Sequence, residues 1–176
     1  HIWLSDEEIR QGQRLLEQLP DKAGTPPIAL HPYATHPDKA WKEAYWRQLM
    51  ELFESRGIPW IVIGRGSGME GIPASRNFTN RTSLRETCAL LKSSSLLITG
   101  DSGPMHLAGA VGTPVLALFG PTTEEWGFFP AGPKDRVLES QLDCRPCTLH
   151  GKKHCDRNHA CMQSITPEQV MRALDE

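Results

Sequence analysis

SLLITGDSGPMHLAGAVGTPVLALFGP, residues 95–121, predicts a strand, a tight turn, a short helix and a second strand. Leu96–Ile98 and Val115–Phe119 are apolar enough to form strands that are buried on both faces of a sheet. Pro104 suits the first turn of the intervening helix, where its missing N–H group costs nothing, and Gly112 predicts where that helix ends. This order of elements is typical of parallel α/β sheets.

The turn at the start of this helix has the properties of an anion site. A helix that begins directly after a parallel strand leaves several backbone N–H groups without partners, and they point toward the carboxyl edge of the sheet. The partial positive charge there favours a phosphate group, and small glycines such as Gly103 allow it to approach closely. The alternative is that Asp101 and Ser102 only cap the helix, because both residue types are good N-caps.

The rest of the chain predicts strands that alternate with helices. Capping boxes that begin at Ser5 and Ser83 predict helices to about Leu19 and Leu91. Further helices are predicted over 43–56 and after Thr166, and further strands over 28–31, over 59–63 and around Phe78. We therefore expect an α/β fold, a Rossmann-like doubly wound parallel sheet that binds its ligand in the loops after Leu30, Ile63 and Thr99.

Composition excludes several classes of function. The chain has 176 residues and a net charge of −2, with an isoelectric point of about 6.4, so there is no electrostatic case for nucleic-acid binding. No apolar stretch approaches the roughly 20 residues that span a bilayer, and the start does not resemble a signal peptide. We expect a cytoplasmic protein, and because the chain begins at His1 we expect it to be a piece of a longer one.

Several short motifs follow one another at fixed spacing: Asp101-Ser102-Gly103, His106-Leu107-Ala108, Thr113-Pro114 and Phe119-Gly120-Pro121-Thr122. This series resembles the pattern of glycosyltransferase family nine, the bacterial lipopolysaccharide heptosyltransferases. The resemblance covers about residues 28–175 and implies the C-terminal, nucleotide-sugar-binding half of a two-domain GT-B fold. It implies a lead-in helix and linker over 1–27, a donor-binding domain over 28–143, and a cysteine-rich loop and C-terminal helix packed on the same domain over 144–176.

The resemblance also implies which residues bind the donor. Backbone amides at Ser102 and Gly103 would hold the diphosphate, with Asp101 near the donor sugar or shaping the turn. His106 would contact the diphosphate or the sugar, unless it is a buried histidine bonded to backbone. Lys39, in Lys39-Ala40-Trp41, stands where the family carries a lysine that neutralises the donor phosphate, as a mobile point charge can; the alternative is a surface lysine.

Three further positions belong to this implied site. Thr35 would add a hydroxyl group, and Glu70 matches an acidic residue near the nucleotide ribose, although a solvated loop acid is an equal alternative. The segment 80–84 resembles a Gly-x-Thr-Ser-Leu motif that is structural or lines the base pocket, and Asn80, where glycine is usual, tolerates left-handed geometry. The chain departs from the family at Tyr33, which replaces the glycine after Pro32 and prevents the same close approach of backbone.

Four of the five cysteines lie close together near the C-terminus, at Cys144, Cys147, Cys155 and Cys161. Their spacing is compatible with a structural zinc site, with His150, His154 and His159 as spare ligands. It is also compatible with two disulfides, which a reducing cytosol disfavours, and with plain thiols. Basic residues at 145, 152, 153 and 157 make the segment a candidate for peripheral contact with anionic lipid at the inner membrane face, or simply a solvated loop.

The implied reaction is inverting transfer of heptose from an ADP-activated donor to an inner-core sugar of lipopolysaccharide. The acceptor and the general base would belong to the N-terminal half, so this chain would carry no catalytic residue of its own. Chemistry of this kind needs no metal cofactor when positive charge and helix N–H groups stabilise the leaving diphosphate. Two alternatives remain, an NAD-type dinucleotide-binding domain suggested by Gly66 to Gly71, and a non-catalytic zinc-binding interaction module.

Overall fold

The computed structural model describes residues 1–20, 24–126, 129–148 and 155–175. The helices, in chain order, are α1 Asp6–Leu16, α2 Glu43–Arg56, α3 Leu84–Lys92, α4 Gly103–Val111, α5 Ala160–Gln163 and α6 Pro167–Asp175. The strands are β1 Ile28–His31, β2 Trp60–Val62, β3 Leu96–Gly100, β4 Val115–Phe119 and β5 Arg136–Glu139. Short 3₁₀ turns lie at Pro37–Lys39 and Glu124–Trp126.

The five strands form one sheet in the order β2-β1-β3-β4-β5, and every neighbouring pair is parallel. The predicted doubly wound α/β fold is therefore confirmed. The chain winds outward in one direction from β1 to β2 and in the other from β3 to β5, so the loops that follow β1 and β3 separate at the sheet edge. Such a divergence point is where open parallel sheets bind ligands.

Alternate residues of each strand feed two separate cores, one on each face of the sheet. Leu30, Ile98 and Leu116 pack with α2 and α6 on one face, whereas Ala29 and Leu97 pack with α1, α3 and α4 on the other. These strands are buried on both faces because helices cover both, which is why they read as continuous apolar runs in the sequence. The two layers of helices fix the strand ends that carry the site.

Most predicted boundaries agree with the structure. Capping boxes open α1 at Ser5 and α3 at Ser83, and Gly57 and Gly112 end α2 and α4 with positive φ angles of 65° and 79°. The predicted strand around Phe78 is only a single bridge between Val62 and Asn77. Strand β5 and the short helix α5 were not predicted, since neither contains a long apolar run.

In the described part of the chain, a helix with the length and hydrophobicity required to cross a membrane is not found.

Candidate functional site at the divergence point of the sheet

A cleft of about 470 Å³ opens where the loops after β1 and β3 separate. Its walls are the loops after β1 and β2 and the first turns of α3 and α4. They contain His31, Tyr33, Ala34, Thr35, Gly64, Arg65, Thr82, Leu84, Thr87, Ser102, Gly103, Pro104 and Leu107. The cleft therefore lies where the topology rule places a ligand, and it brings together Thr35, Ser102 and Gly103 of the predicted donor site.

The N-terminus of α4 faces this cleft without a side-chain cap. Ser102 occupies the N-cap position but makes no capping hydrogen bond, whereas Ser5 and Ser83 both cap their helices. Its hydroxyl lies instead 2.8 Å from Thr99 Oγ1. Capping of α4 by Ser102, the alternative from sequence, is therefore not seen among the described residues, and the N–H groups of its first turn can serve an anion.

His31 explains why the Ser102 hydroxyl turns away from its helix. The His31 Nδ1 atom lies 3.2 Å from Ser102 Oγ and 3.1 Å from Thr99 Oγ1, so the three side chains form a closed triangle. Only 6% of His31 is exposed, and burial lowers its pKa from 6.5 to about 4, which keeps the ring neutral at physiological pH. Sequence reasoning missed this residue, although its place as the last residue of β1 could have indicated it.

Next to Ser102 in the chain, Asp101 accepts a hydrogen bond at Oδ2 from the Lys39 ammonium. Only 13% and 11% of the two side chains are exposed, so this ion pair is largely sheltered from water. Thr122 Oγ1 donates to the same carboxylate oxygen over 3.2 Å. The pair thus ties together the loops that follow β1, β3 and β4, and it places a cation beside the start of α4.

His106 and Glu70, two further residues of the predicted donor site, are both exposed to solvent. His106 is exposed on α4, so the alternative of a buried histidine does not hold. Glu70 is exposed in the loop after β2, where its carboxylate accepts from the Gly68 N–H over 3.2 Å. Glu70 is not part of the cleft lining, and the neighbouring Arg65 is.

The loop after β2 accommodates Tyr33 through its glycines. A Cβ on Gly66 would lie 2.3 Å from the Tyr33 ring, and one on Gly64 would lie 2.5 Å from the His31 ring. The Tyr33 hydroxyl lies 2.7 Å from Thr79 Oγ1, and burial raises the pKa of the phenol. Asn80, with a φ of 59°, donates to the Gly66 carbonyl over 2.8 Å, so the left-handed geometry expected at Asn80 is present.

Within the described residues, the cysteine-rich segment shows neither a disulfide nor a formed metal site. No disulfide is formed among the described residues, and no group of three or more His, Cys, Asp or Glu side chains there could hold a metal ion. Cys161 is buried and its pKa is raised by that burial. His150 and His154, named as spare zinc ligands, lie outside the described residues, so the zinc ion stays a prediction.

Only two of the four basic residues of this segment lie in the described part of the chain, so the expected contact with anionic lipid stays a prediction. The Arg145 side chain is only 5% exposed, and Arg157 pairs with Asp143 over 2.6 Å. The lysines at 152 and 153 lie outside the described residues. The sequence favours a surface position for Arg145, whereas its burial keeps its side chain from contact with a membrane.

Comparison with known proteins agrees with the family resemblance found in the sequence. A family model described as "Glycosyltransferase family 9 (heptosyltransferase)" matches residues 4–156. Lipopolysaccharide heptosyltransferase 1 of Pseudomonas aeruginosa is 35% identical over 153 residues, which are 79% of this chain and 40% of that protein. The chain spans about half or less of the length of the curated relatives it matches.

Solved structures share the fold. A family 9 glycosyltransferase from Veillonella parvula matches with a TM-score of 0.80 at 23% identity, and the match covers 99% of this chain and 52% of the Veillonella chain. The E. coli ADP-heptose lipopolysaccharide heptosyltransferase II matches with a TM-score of 0.71 at 22% identity, and the match covers 99% of this chain and 52% of the E. coli chain. Identities this low establish the fold alone.

Proposed function

This chain belongs to glycosyltransferase family 9, and we propose that it forms the donor-binding half of an inverting glycosyltransferase that transfers heptose from ADP-heptose to the inner core of lipopolysaccharide. The observation that carries the proposal is the uncapped N-terminus of α4 at the cleft, with the Lys39 cation beside it. The name of a structural relative specifies ADP-heptose as its donor.

In this proposal the diphosphate of the donor lies against the first turn of α4. The N–H groups near Ser102 and Gly103 donate to its oxygens, and the helix dipole adds further stabilisation of negative charge. Lys39 would share its ammonium between Asp101 and the diphosphate, since the ion pair stands beside the helix start. Positive charge fixed before the reaction stabilises the leaving ADP as its bond to the sugar breaks, so no metal ion has to do so.

The nucleoside would occupy the remaining cleft. Thr82 and Leu84 line it together with Leu107 from α4, which supports the expectation that the segment 80–84 contributes to the base pocket. Leu84 is 65% exposed although it is large and apolar. A flat nucleobase would cover such a side chain and remove it from water.

The acceptor and the general base would come from the N-terminal half of the enzyme. The chain alone is therefore proposed to bind ADP and ADP-sugars but not to transfer sugar. The whole enzyme would act in the cytoplasm or peripherally at the inner membrane face. Of the residues named here, His106 is proposed to contact the diphosphate or the donor sugar, and Asp101 is proposed to lie near the sugar or to shape the turn that holds Lys39.

An NAD-type domain is the competing function, and the geometry of the glycines disfavours it. A dinucleotide-binding glycine motif opens a helix directly after the first strand, whereas His31 and Tyr33 stand there. The glycine run 64–71 follows β2 instead, and the next helix begins only at Leu84.

Calorimetric titration of the chain with ADP and with NAD distinguishes the two. We expect saturable binding of ADP with a much weaker response to NAD. Equal or tighter binding of NAD would contradict the proposal, as would transfer of sugar by the isolated chain.

A further inference from the structure

The cysteine-rich segment reaches the site through one buried side chain, Arg145. Its guanidinium donates to the main-chain carbonyl of Gly120 and, over 2.9 Å, to that of Thr122. It also pairs with the Glu139 carboxylate at the end of β5 over 2.7 Å. An arginine with several main-chain acceptors fixes the backbone around it because its planar fork allows few orientations.

The loop that Arg145 holds leads directly to the charged pair. Thr122 is only 1% exposed, and its hydroxyl donates to Asp101 Oδ2, the same oxygen that accepts from Lys39. Arg145, Thr122, Asp101 and Lys39 therefore form one connected series from the C-terminal segment to the cation of the proposed donor site.

A second contact from the same segment reaches the residue that precedes Lys39. His159 Nε2 lies 2.8 Å from Asp38 Oδ1, and Asp38 precedes Lys39 in the 3₁₀ turn Pro37–Lys39. The segment thus touches the loop of Lys39 and, through Thr122, the carboxylate of Asp101. Two independent contacts that reach the loops of this ion pair favour a positioning role over general packing.

We infer that Arg145 is a positioning residue of the donor site, which acts through Thr122 to hold Asp101 and the Lys39 ammonium where a nucleoside diphosphate binds. The inference rests on the proposed function, because it needs a diphosphate at the start of α4. It assigns a role to the cysteine-rich segment, which presents Arg145 to the sheet edge.

The test compares two ligands on the Arg145→Lys chain. Lysine keeps the positive charge but loses the fork, so ADP should bind about tenfold more weakly, as expected for one lost charge-assisted hydrogen bond. Adenosine, which lacks phosphates, should bind within about twofold of the wild-type value. The control is Arg157→Lys, in the same segment but half exposed and paired only with Asp143 in the described structure, and it should leave both affinities unchanged.

A second variant separates positioning from folding. Thr122→Val removes the hydroxyl that contacts Asp101, and Thr122→Ser should restore it. If Arg145 acts through Thr122, the two substitutions should not have additive effects. The double variant Arg145→Lys/Thr122→Val should then have the same ADP affinity as whichever single variant binds ADP less tightly. Thermal unfolding of each variant shows whether it is folded at the temperature of the titration. If Arg145→Lys is not folded there, the comparison of ADP with adenosine is made on Thr122→Val.

Three outcomes overturn the inference while the proposed function stands: unchanged ADP binding by folded Arg145→Lys, equal loss of ADP and adenosine binding, and additive effects in the double variant. Absence of ADP binding by the wild-type chain is a different result, since it removes the proposed function itself.

Discussion

The ammonium of Lys39 donates to the carboxylate of Asp101 and so joins two loops that leave the sheet from neighbouring strands. The contact spans a sequence separation of 62 residues, and Asp101 immediately precedes the uncapped N-cap residue Ser102 of α4. An ammonium that is held by one neighbouring carboxylate can reorient toward a phosphate with only a small movement of the lysine side chain. The pair therefore keeps Lys39 in place before the donor arrives, which lowers the cost of ordering its long side chain during binding.

Removal of the Lys39 charge should weaken ADP binding specifically. Lys39→Met loses a charge-assisted contact with the diphosphate and leaves Asp101 as a repulsive neighbour, so we expect a loss of roughly 2 kcal/mol, about thirtyfold in affinity. The matched control is Lys42→Met, three residues away on the exposed side of the same loop, which should bind ADP like the wild type. Equal affinities of Lys39→Met and Lys42→Met, measured by calorimetry at low salt, would remove Lys39 from the site.

A single methyl group at Gly103 tests whether a ligand approaches the start of α4. A Cβ there meets no protein atom within 4 Å, so Gly103→Ala should unfold at the same temperature as the wild type or higher. It should nevertheless bind ADP at least about tenfold more weakly, because the methyl group occupies the path of a phosphate to the helix N–H groups.

The control for that variant lies in the same helix. Gly109 also has open space around its Cβ position, and Gly109→Ala should raise the free energy of unfolding by up to about 1 kcal/mol through helix propensity without affecting ADP binding. An unchanged ADP affinity in Gly103→Ala would place the phosphate elsewhere.

The buried His31 predicts an acid-sensitive fold. The folded protein resists protonation of this ring until about pH 4, whereas the unfolded chain binds the proton at about pH 6.5. The free energy of unfolding should therefore fall as the pH drops from 6.5 to 4, by about 3 kcal/mol from this group, and the loss should level off below pH 4. Urea unfolding at a series of pH values measures the slope, and His31→Asn should flatten it. A slope that is the same in wild type and variant would contradict the assigned cause.

The cysteines should differ in their reactivity with a thiol reagent. Cys88 and Cys161 are 2% and 6% exposed, and burial raises the pKa of both, so alkylation at pH 8 should reach them only slowly. Cys144, Cys147 and Cys155 are partly exposed and should react before the two buried cysteines. Mass spectrometry after timed alkylation gives the order. Simultaneous protection of all four clustered cysteines by added zinc would instead show that the metal site expected from their spacing does form.

Local patterns in the sequence were enough to predict most of the sheet. The apolar runs Leu96–Ile98 and Val115–Phe119 and the capping boxes at Ser5 and Ser83 each depend on neighbouring residues only, and all four appear in the structure. Strand β5 was not predicted from the sequence. It pairs only with β4 at the sheet edge and is only partly buried, so its apolar pattern is short.

Contacts between distant residues were not predictable in the same way. The sequence placed Lys39 and Asp101 at the same edge of the sheet, but not in contact, because their pairing depends on how two loops fold over one another. Arg145 is the clearest case, since composition alone does not distinguish an arginine in solvent from one buried among carbonyl groups. The pairing of His31 with Ser102 was missed for the same reason, although both residues adjoin strand ends that the sequence located.

The most direct measurement is a crystal structure of the chain with ADP bound. We expect the β-phosphate to lie at the start of α4, within hydrogen-bonding distance of the backbone N–H of Gly103. The Lys39 ammonium should be turned toward it, and the base should occupy the part of the cleft lined by Thr82 and Leu84. A nucleotide bound at any other edge of the sheet, or a cleft left empty at saturating ADP, would contradict it.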